Sequence, residues 1–162
     1  KRVRYMVKIT AASANELKYI ASRIAKYLFP GAFLALNGDL GSGKTTFSQG
    51  LAEGLGINED ISSPTFTIIK EYENGRLPLY HMDVYRLERP EEMEDLGYEE
   101  YFYGEGICAV EWADNIRELW PEEYLEITFL YSENGRILEF NPHGRKYEEI
   151  IEEMTGYDYT KH

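Results

Sequence analysis

Apolar positions recur along this chain with two different periods. Tyr5-Met6-Val7-Lys8-Ile9-Thr10 alternates, as a sheet-edge strand does. Ser13-Ala14-Asn15-Glu16 is a capping box, with Ser13 as the cap and Glu16 returning the bond. After it Leu17, Ile20, Ala21, Ile24, Ala25 and Leu28 fall on one helix face, and Pro30-Gly31 ends that helix. Ala32-Phe33-Leu34-Ala35-Leu36-Asn37 has no alternation, which predicts a strand buried on both faces. Residues 45–55 then predict a helix stopped by Gly56.

The second half continues the interleaving. Ser62-Ser63-Pro64-Thr65 predicts a loop, 66–73 a strand, and Asn74-Gly75 a two-residue hairpin turn. The chain returns along 76–82 and Asp83 closes that strand. Pro90 opens a short helix that Gly97 stops. A second apolar run, 106–110, is closed by Glu111, and 113–120 predicts a short helix before Pro121. Residues 124–131 alternate, a turn at Asn134-Gly135 follows, and 136–140 returns as a second hairpin. A helix over 146–154 precedes a polar tail, 156–162, that is open to fraying. The pattern predicts a three-layer α/β fold with a mixed sheet, parallel in the middle and antiparallel at its edge hairpins. With no repeat or linker, 1–162 reads as a single domain.

Composition narrows the classes. The formal charge is −12 and the pI about 4.7, so bulk binding to a phosphate backbone is disfavoured. No apolar run approaches the ~20 residues of a membrane-spanning helix, and no signal-peptide stretch follows the basic start. A cytosolic protein is expected. The lone cysteine, Cys108, lies in an apolar run and reads as a small buried hydrophobe.

The candidate chemistry sits between the first buried strand and its helix. Gly38-Asp39-Leu40-Gly41-Ser42-Gly43-Lys44-Thr45 has the form of a phosphate-binding loop. Phosphate needs several N–H donors on one concave surface, and glycines keep that surface open. Lys44 supplies a mobile charge for the β- and γ-phosphates, Thr45 a hydroxyl for Mg²⁺, and the helix its N-terminal partial charge. With glycine at about 7% of residues, these four fixed positions arise by chance in well under ~1% of chains this long.

Mg²⁺ calls for a carboxylate at the end of a neighbouring strand. Asp83 and Glu111 both qualify, and the run before Glu111 is the more apolar, hence the better central strand. One carboxylate can hold the metal while the other orients the attacking water; the residues alone leave the assignment open. Trp112 reads equally as a core anchor or a partner-facing residue. His81 reads as a polar side chain on a hairpin strand. Thr65 is the candidate γ-phosphate contact in a loop that orders around nucleotide, or else part of an ordinary turn. The acidic stretch 88–100 reads mainly as a solvated helix face.

Gly38 to Thr46, Ser63-Pro64-Thr65-Phe66, Tyr80-His81-Met82-Asp83-Val84-Tyr85-Arg86-Leu87 and Val110-Glu111-Trp112 together resemble the TsaE (YjeE) family. That family is the ATPase component of bacterial tRNA threonylcarbamoyladenosine (t6A) synthesis. The resemblance spans about 13–136 and implies a small P-loop fold, ATP with Mg²⁺, and a cytoplasmic location. The implied partners are the threonylcarbamoyl transferase (TsaD) and its companion subunit (TsaB), with tRNA reached only through that complex. By motif, Gly38, Asp39, Leu40, Gly41, Ser42, Gly43, Lys44, Thr45 and Thr46 bind the phosphates. Thr45 and Glu111 match Mg²⁺ ligands, and Asp83 is metal-linked or positions water. Thr65 matches a switch-like threonine, and Arg136 matches an arginine that approaches the nucleotide. The competing readings are a small-molecule kinase or a nucleotide-gated regulatory module. The kinase reading lacks a visible arginine-rich lid: Arg86, Arg89 and Arg117 are scattered.

Overall fold

The computed structural model describes residues 6–39, 41–62, 64 and 68–161. Leu40 and Thr65, both assigned by motif to the nucleotide site, lie outside these residues.

Seven strands form one sheet in the order β1-β7-β6-β2-β5-β4-β3. They are β1 (Val7–Ala11), β2 (Phe33–Gly38), β3 (Ile69–Tyr72), β4 (Leu79–Asp83), β5 (Ile107–Glu111), β6 (Tyr124–Ser132) and β7 (Gly135–His143). The pairs β6·β2, β2·β5 and β5·β4 are parallel. The outer pairs β1·β7, β7·β6 and β4·β3 are antiparallel. The expected mixed sheet is therefore observed, with the unalternating runs β2 and β5 adjacent at its centre. Both faces of β2 are covered: Leu34 and Leu36 join one core cluster, Phe33 and Ala35 the other.

The helices divide between those faces. α1 (Ala14–Tyr27), α2 (Lys44–Gly54) and α5 (Arg145–Thr155) cover the first. α3 (Glu92–Asp95), α4 (Tyr98–Phe102) and a 3₁₀ segment (Ala113–Leu119) cover the second. α1 begins at its expected cap: Ser13 Oγ accepts from Glu16 N–H at 3.1 Å. Glu16 returns its bond to the N–H of Ala12, at 2.6 Å, rather than to that of Ser13.

α2, which carries the loop lysine, is pressed onto α1. A Cβ at Gly50 would stand 2.5 Å from the Lys18 carbonyl oxygen, and one at Gly54 2.5 Å from that of Ser22. Ala21 and Ala25 supply the facing small residues. Small residues four apart on both helices let the backbones approach until they touch. That contact fixes the axis of α2 and thereby where its N-terminus points.

Four expectations need correction. The first hairpin does not turn on two residues: Tyr72 pairs with Leu79, so 73–78 intervene. Arg76 explains the longer loop. Its N–H donates to Leu55 O at 2.7 Å, and its guanidinium reaches the carbonyls of Ala25 and Leu28 at the end of α1. The loop is thus docked on the helix ends rather than folded back on itself. The second hairpin turns one residue early, since Ser132 pairs with Gly135. Gly97, in the left-handed region at φ 68°, stops α3 but also opens α4, which hydropathy did not reveal. The tail is anchored: Tyr159 is buried and its N–H donates to Glu152 at 2.9 Å, while Tyr157 packs against the core.

Candidate functional site

The loop after β2 reverses the chain over the C-terminal edge of the sheet. Gly41 and Gly43 have φ values of +74° and +112°, a region other residues enter at a cost. A Cβ on Gly43 would also meet Leu17 Cδ2 at 2.6 Å. Gly43 caps α2 without a side-chain bond, so the first N–H groups of that helix face the concave side of the loop. Arg136 braces the outside. Its Nε donates to Ser42 O at 3.1 Å and its Nη2 to Gly41 O at 3.2 Å, over the ring of Tyr131. With the Ser42 carbonyl drawn outward, the Gly43 N–H of the same peptide is biased inward, whereas the Ser42 N–H donates to Asp39 O at 3.1 Å.

Lys44 is 4% exposed. Its Nζ donates to the carbonyls of Gly38 and Asp39, the latter at 2.9 Å, and lies 3.9 Å from the centre of the Trp112 ring. Burial pulls its ammonium below the usual lysine range, opposed by the charges of Glu111, Asp83 and Asp39. Trp112 is the non-glycine residue with positive φ among the described residues, at 59°. Left-handed backbone at such a residue costs about 1–2 kcal/mol. The conformation turns the chain at the end of β5 and lays the indole on Lys44 and against Tyr85, at 4.7 Å. Trp112 is thus a wall of the site, a role between the two its sequence context suggested.

The carboxylates come from adjacent strands. β4 and β5 run parallel with Asp83 in register with Glu111. Glu111 is 3% exposed, and Thr45 Oγ1 donates to its Oε1 and Oε2 at 3.1 and 3.0 Å. Asp83 is half-buried and accepts from Tyr85 N–H at 3.0 Å, which ends the strand. Thr46, Asp83, Glu111 and Trp112 line one cleft with the loop residues 41–45, about 290 Å³ in volume. Among the described residues of that lining, Lys44 is the one base. The structure therefore brings together Lys44, Thr45, Asp83 and Glu111 as the motifs required, and holds Arg136 behind the loop instead of in the cleft.

His81 is set against the site, where the sequence suggests only a polar side chain on a hairpin strand. Its imidazole is fully buried, with Nε2 2.5 Å from Glu111 Oε2. A signal existed: His81 and Asp83 are two apart on one strand and share a face. Its meaning depended on which strand lay alongside. Among the described residues no arginine lines the cleft, and Arg117 is occupied by Asp114 and Glu126 at 2.5 and 2.6 Å. Cys108 is buried, and burial pushes its thiol up to about 12, as expected of an inert core residue.

A Lys-Thr pair at a helix N-terminus beside a buried strand-end glutamate is P-loop geometry. Comparison with known proteins agrees. The family model for "Threonylcarbamoyl adenosine biosynthesis protein TsaE" matches residues 11–138. The chain belongs to the TsaE family. It is 50% identical over 153 residues to the tRNA threonylcarbamoyladenosine biosynthesis protein TsaE of Bacillus subtilis, covering 94% of this chain and 96% of that relative. The TsaE of a Nostoc species is 40% identical over 151 residues, covering 90% and 92%. Among solved structures, Bacillus subtilis YdiB superposes with a TM-score of 0.81 at 44% identity, covering 96% of this chain and 98% of that one. In the TsaE family the P-loop fold implies nucleotide binding. Among the described residues, no helix is long and apolar enough to cross a membrane.

Proposed function

We propose that this protein is the ATP-binding and ATP-hydrolysing component of the tRNA t6A machinery, a cytoplasmic enzyme that acts on a threonylcarbamoyl transferase and its companion subunit. Membership of the TsaE family supports the pathway. The observation that carries the chemistry is Thr45 Oγ1, the first hydroxyl of α2, within 3.1 Å of both oxygens of the buried Glu111. A hydroxyl and a carboxylate are hard oxygen donors, which suits Mg²⁺ held jointly with phosphate oxygens. The open glycine cradle suits the phosphates themselves.

In this reading the loop N–H groups and Lys44 hold the β- and γ-phosphates. Thr45 and Glu111 hold Mg²⁺, which when bound neutralises charge developing on the transferred phosphoryl group. Asp83, half-buried across the cleft, orients the attacking water. Thr65 completes the γ-phosphate contact. Hydrolysis drives a conformational cycle that resets the transferase, and turnover by the isolated chain is slow because Arg136 is engaged behind the loop. The test is titration with an ATP analogue and measurement of phosphate release, with and without the two partners. Lys44→Ala should weaken triphosphate binding ~10- to 100-fold, the loss of one charged hydrogen-bond donor. Full t6A formation by the reconstituted complex with Lys44→Ala would defeat the proposal.

A further inference from the structure

His81 is absent from the chemistry above, yet it is one of the most completely buried polar side chains described. Its setting is specific. In the β4·β5 register His81 pairs with Ala109, and Asp83 pairs with Glu111. The alanine is small and fully buried, and it leaves space on that face for an imidazole directly beneath the glutamate. Within that space Nε2 lies 2.5 Å from Glu111 Oε2. The other ring nitrogen, Nδ1, is buried with no hydrogen-bond partner among the described residues.

A carboxylate that holds a cation is acceptor-only, so the tautomer that matches it keeps its hydrogen on Nε2 and donates a hydrogen bond to Oε2. Stability alone explains such a pair poorly, because buried polar pairs are often replaceable by apolar residues without loss. Orientation explains it better. Oε2 already accepts from His81 and from Thr45, whereas Oε1 accepts from Thr45 alone. The imidazole therefore fixes the rotation of the carboxylate and leaves Oε1 as the oxygen with fewer donors. A carboxylate fixed by a buried donor pays less entropy when it takes a cation.

We propose that His81 is a positioning residue that locks the Glu111 carboxylate, making it a one-oxygen ligand for the divalent cation of the nucleotide. This rests on the reading of Glu111 as a Mg²⁺ ligand.

The experiment measures binding of a fluorescent, non-hydrolysable ATP analogue as Mg²⁺ is varied, together with a thermal melt. Wild type, Glu111→Gln, His81→Phe, His81→Gln and His81→Asn are compared. His81→Phe should raise the Mg²⁺ midpoint ~10-fold, at the lower end of what loss of a ligand's supporting hydrogen bond costs. Its Mg²⁺-free affinity for the analogue should stay within about twofold of wild type, which a merely structural role would not produce. The amide of glutamine reaches the level of Nε2 and that of asparagine does not. His81→Gln should therefore restore most of the midpoint and His81→Asn should not, a comparison that survives even if the phenylalanine variant fails to fold. A wild-type midpoint in His81→Phe, or equal loss in His81→Gln and His81→Asn, overturns the inference while leaving the site intact. Binding indifferent to Mg²⁺ in both wild type and Glu111→Gln removes the reading of Glu111 and the inference with it.

Discussion

Asp83 and Glu111 stand side by side in register at the ends of parallel strands, yet the fold treats them differently. Glu111 is 3% exposed, held from below by His81 and from the side by Thr45. Asp83 is half-buried and turned to the backbone N–H of Tyr85 and the cleft. Two carboxylates at equivalent strand ends have thus been given different surroundings by what lies two residues earlier. Beneath Glu111 on its own strand is Ala109, and beneath Asp83 is His81, which fills the space the alanine leaves. A buried carboxylate with fixed donors suits a metal, whereas a half-buried one that lines the cleft suits water.

The comparison is broken most severely at Glu111. Glu111→Ala should reduce single-turnover phosphate release ~100- to 1,000-fold, the several kcal/mol expected of a metal-held phosphoryl group. It should also destabilise the fold by about 1–3 kcal/mol, because His81 and Thr45 lose a buried acceptor. Chemical denaturation reads that second effect.

Asp83→Asn should lower phosphate release ~100-fold, typical of a lost proton acceptor or water-orienting group. Its stability should change by no more than about 0.5 kcal/mol, since asparagine can still accept from Tyr85 N–H. If instead this variant shifts the Mg²⁺ midpoint more than Glu111→Gln does, the two assignments are reversed.

Arg136→Lys sharpens the contrast by perturbing the loop and neither carboxylate. A lysine cannot span the Ser42 and Gly41 carbonyls with one planar fork. Triphosphate affinity should weaken ~5-fold, about the value of one net hydrogen bond. The Mg²⁺ midpoint should not move. An unchanged affinity would mean that the brace does not shape the cradle.

Much of the site was readable before folding was considered, because a phosphate cradle is a local device. Gly38 to Thr45 needs only a preceding strand, a following helix and glycines where side chains would intrude, and all of these are contiguous. The central position of β5 was readable too, since a strand covered on both faces cannot alternate. Two kinds of feature stayed hidden. Arg76 offered no sign that it would dock on the ends of α1 and α2, so the first hairpin looked shorter than it is. Gly50 and Gly54, four apart on α2, carried no marked hydropathy, although their fit against Ala21 and Ala25 sets the approach of the two helices.

By itself, then, the chain determined its periodicities, its phosphate loop and the presence of two acidic strand ends, because each is written in consecutive residues. Only the tertiary structure decided that β4 lies beside β5 with Asp83 opposite Glu111. That register brings His81 to the glutamate and leaves the aspartate open to the cleft. The reason is physical: strand neighbours and their register are chosen by the packing of the whole sheet. The environment of a carboxylate depends on those neighbours more than on the residues before and after it.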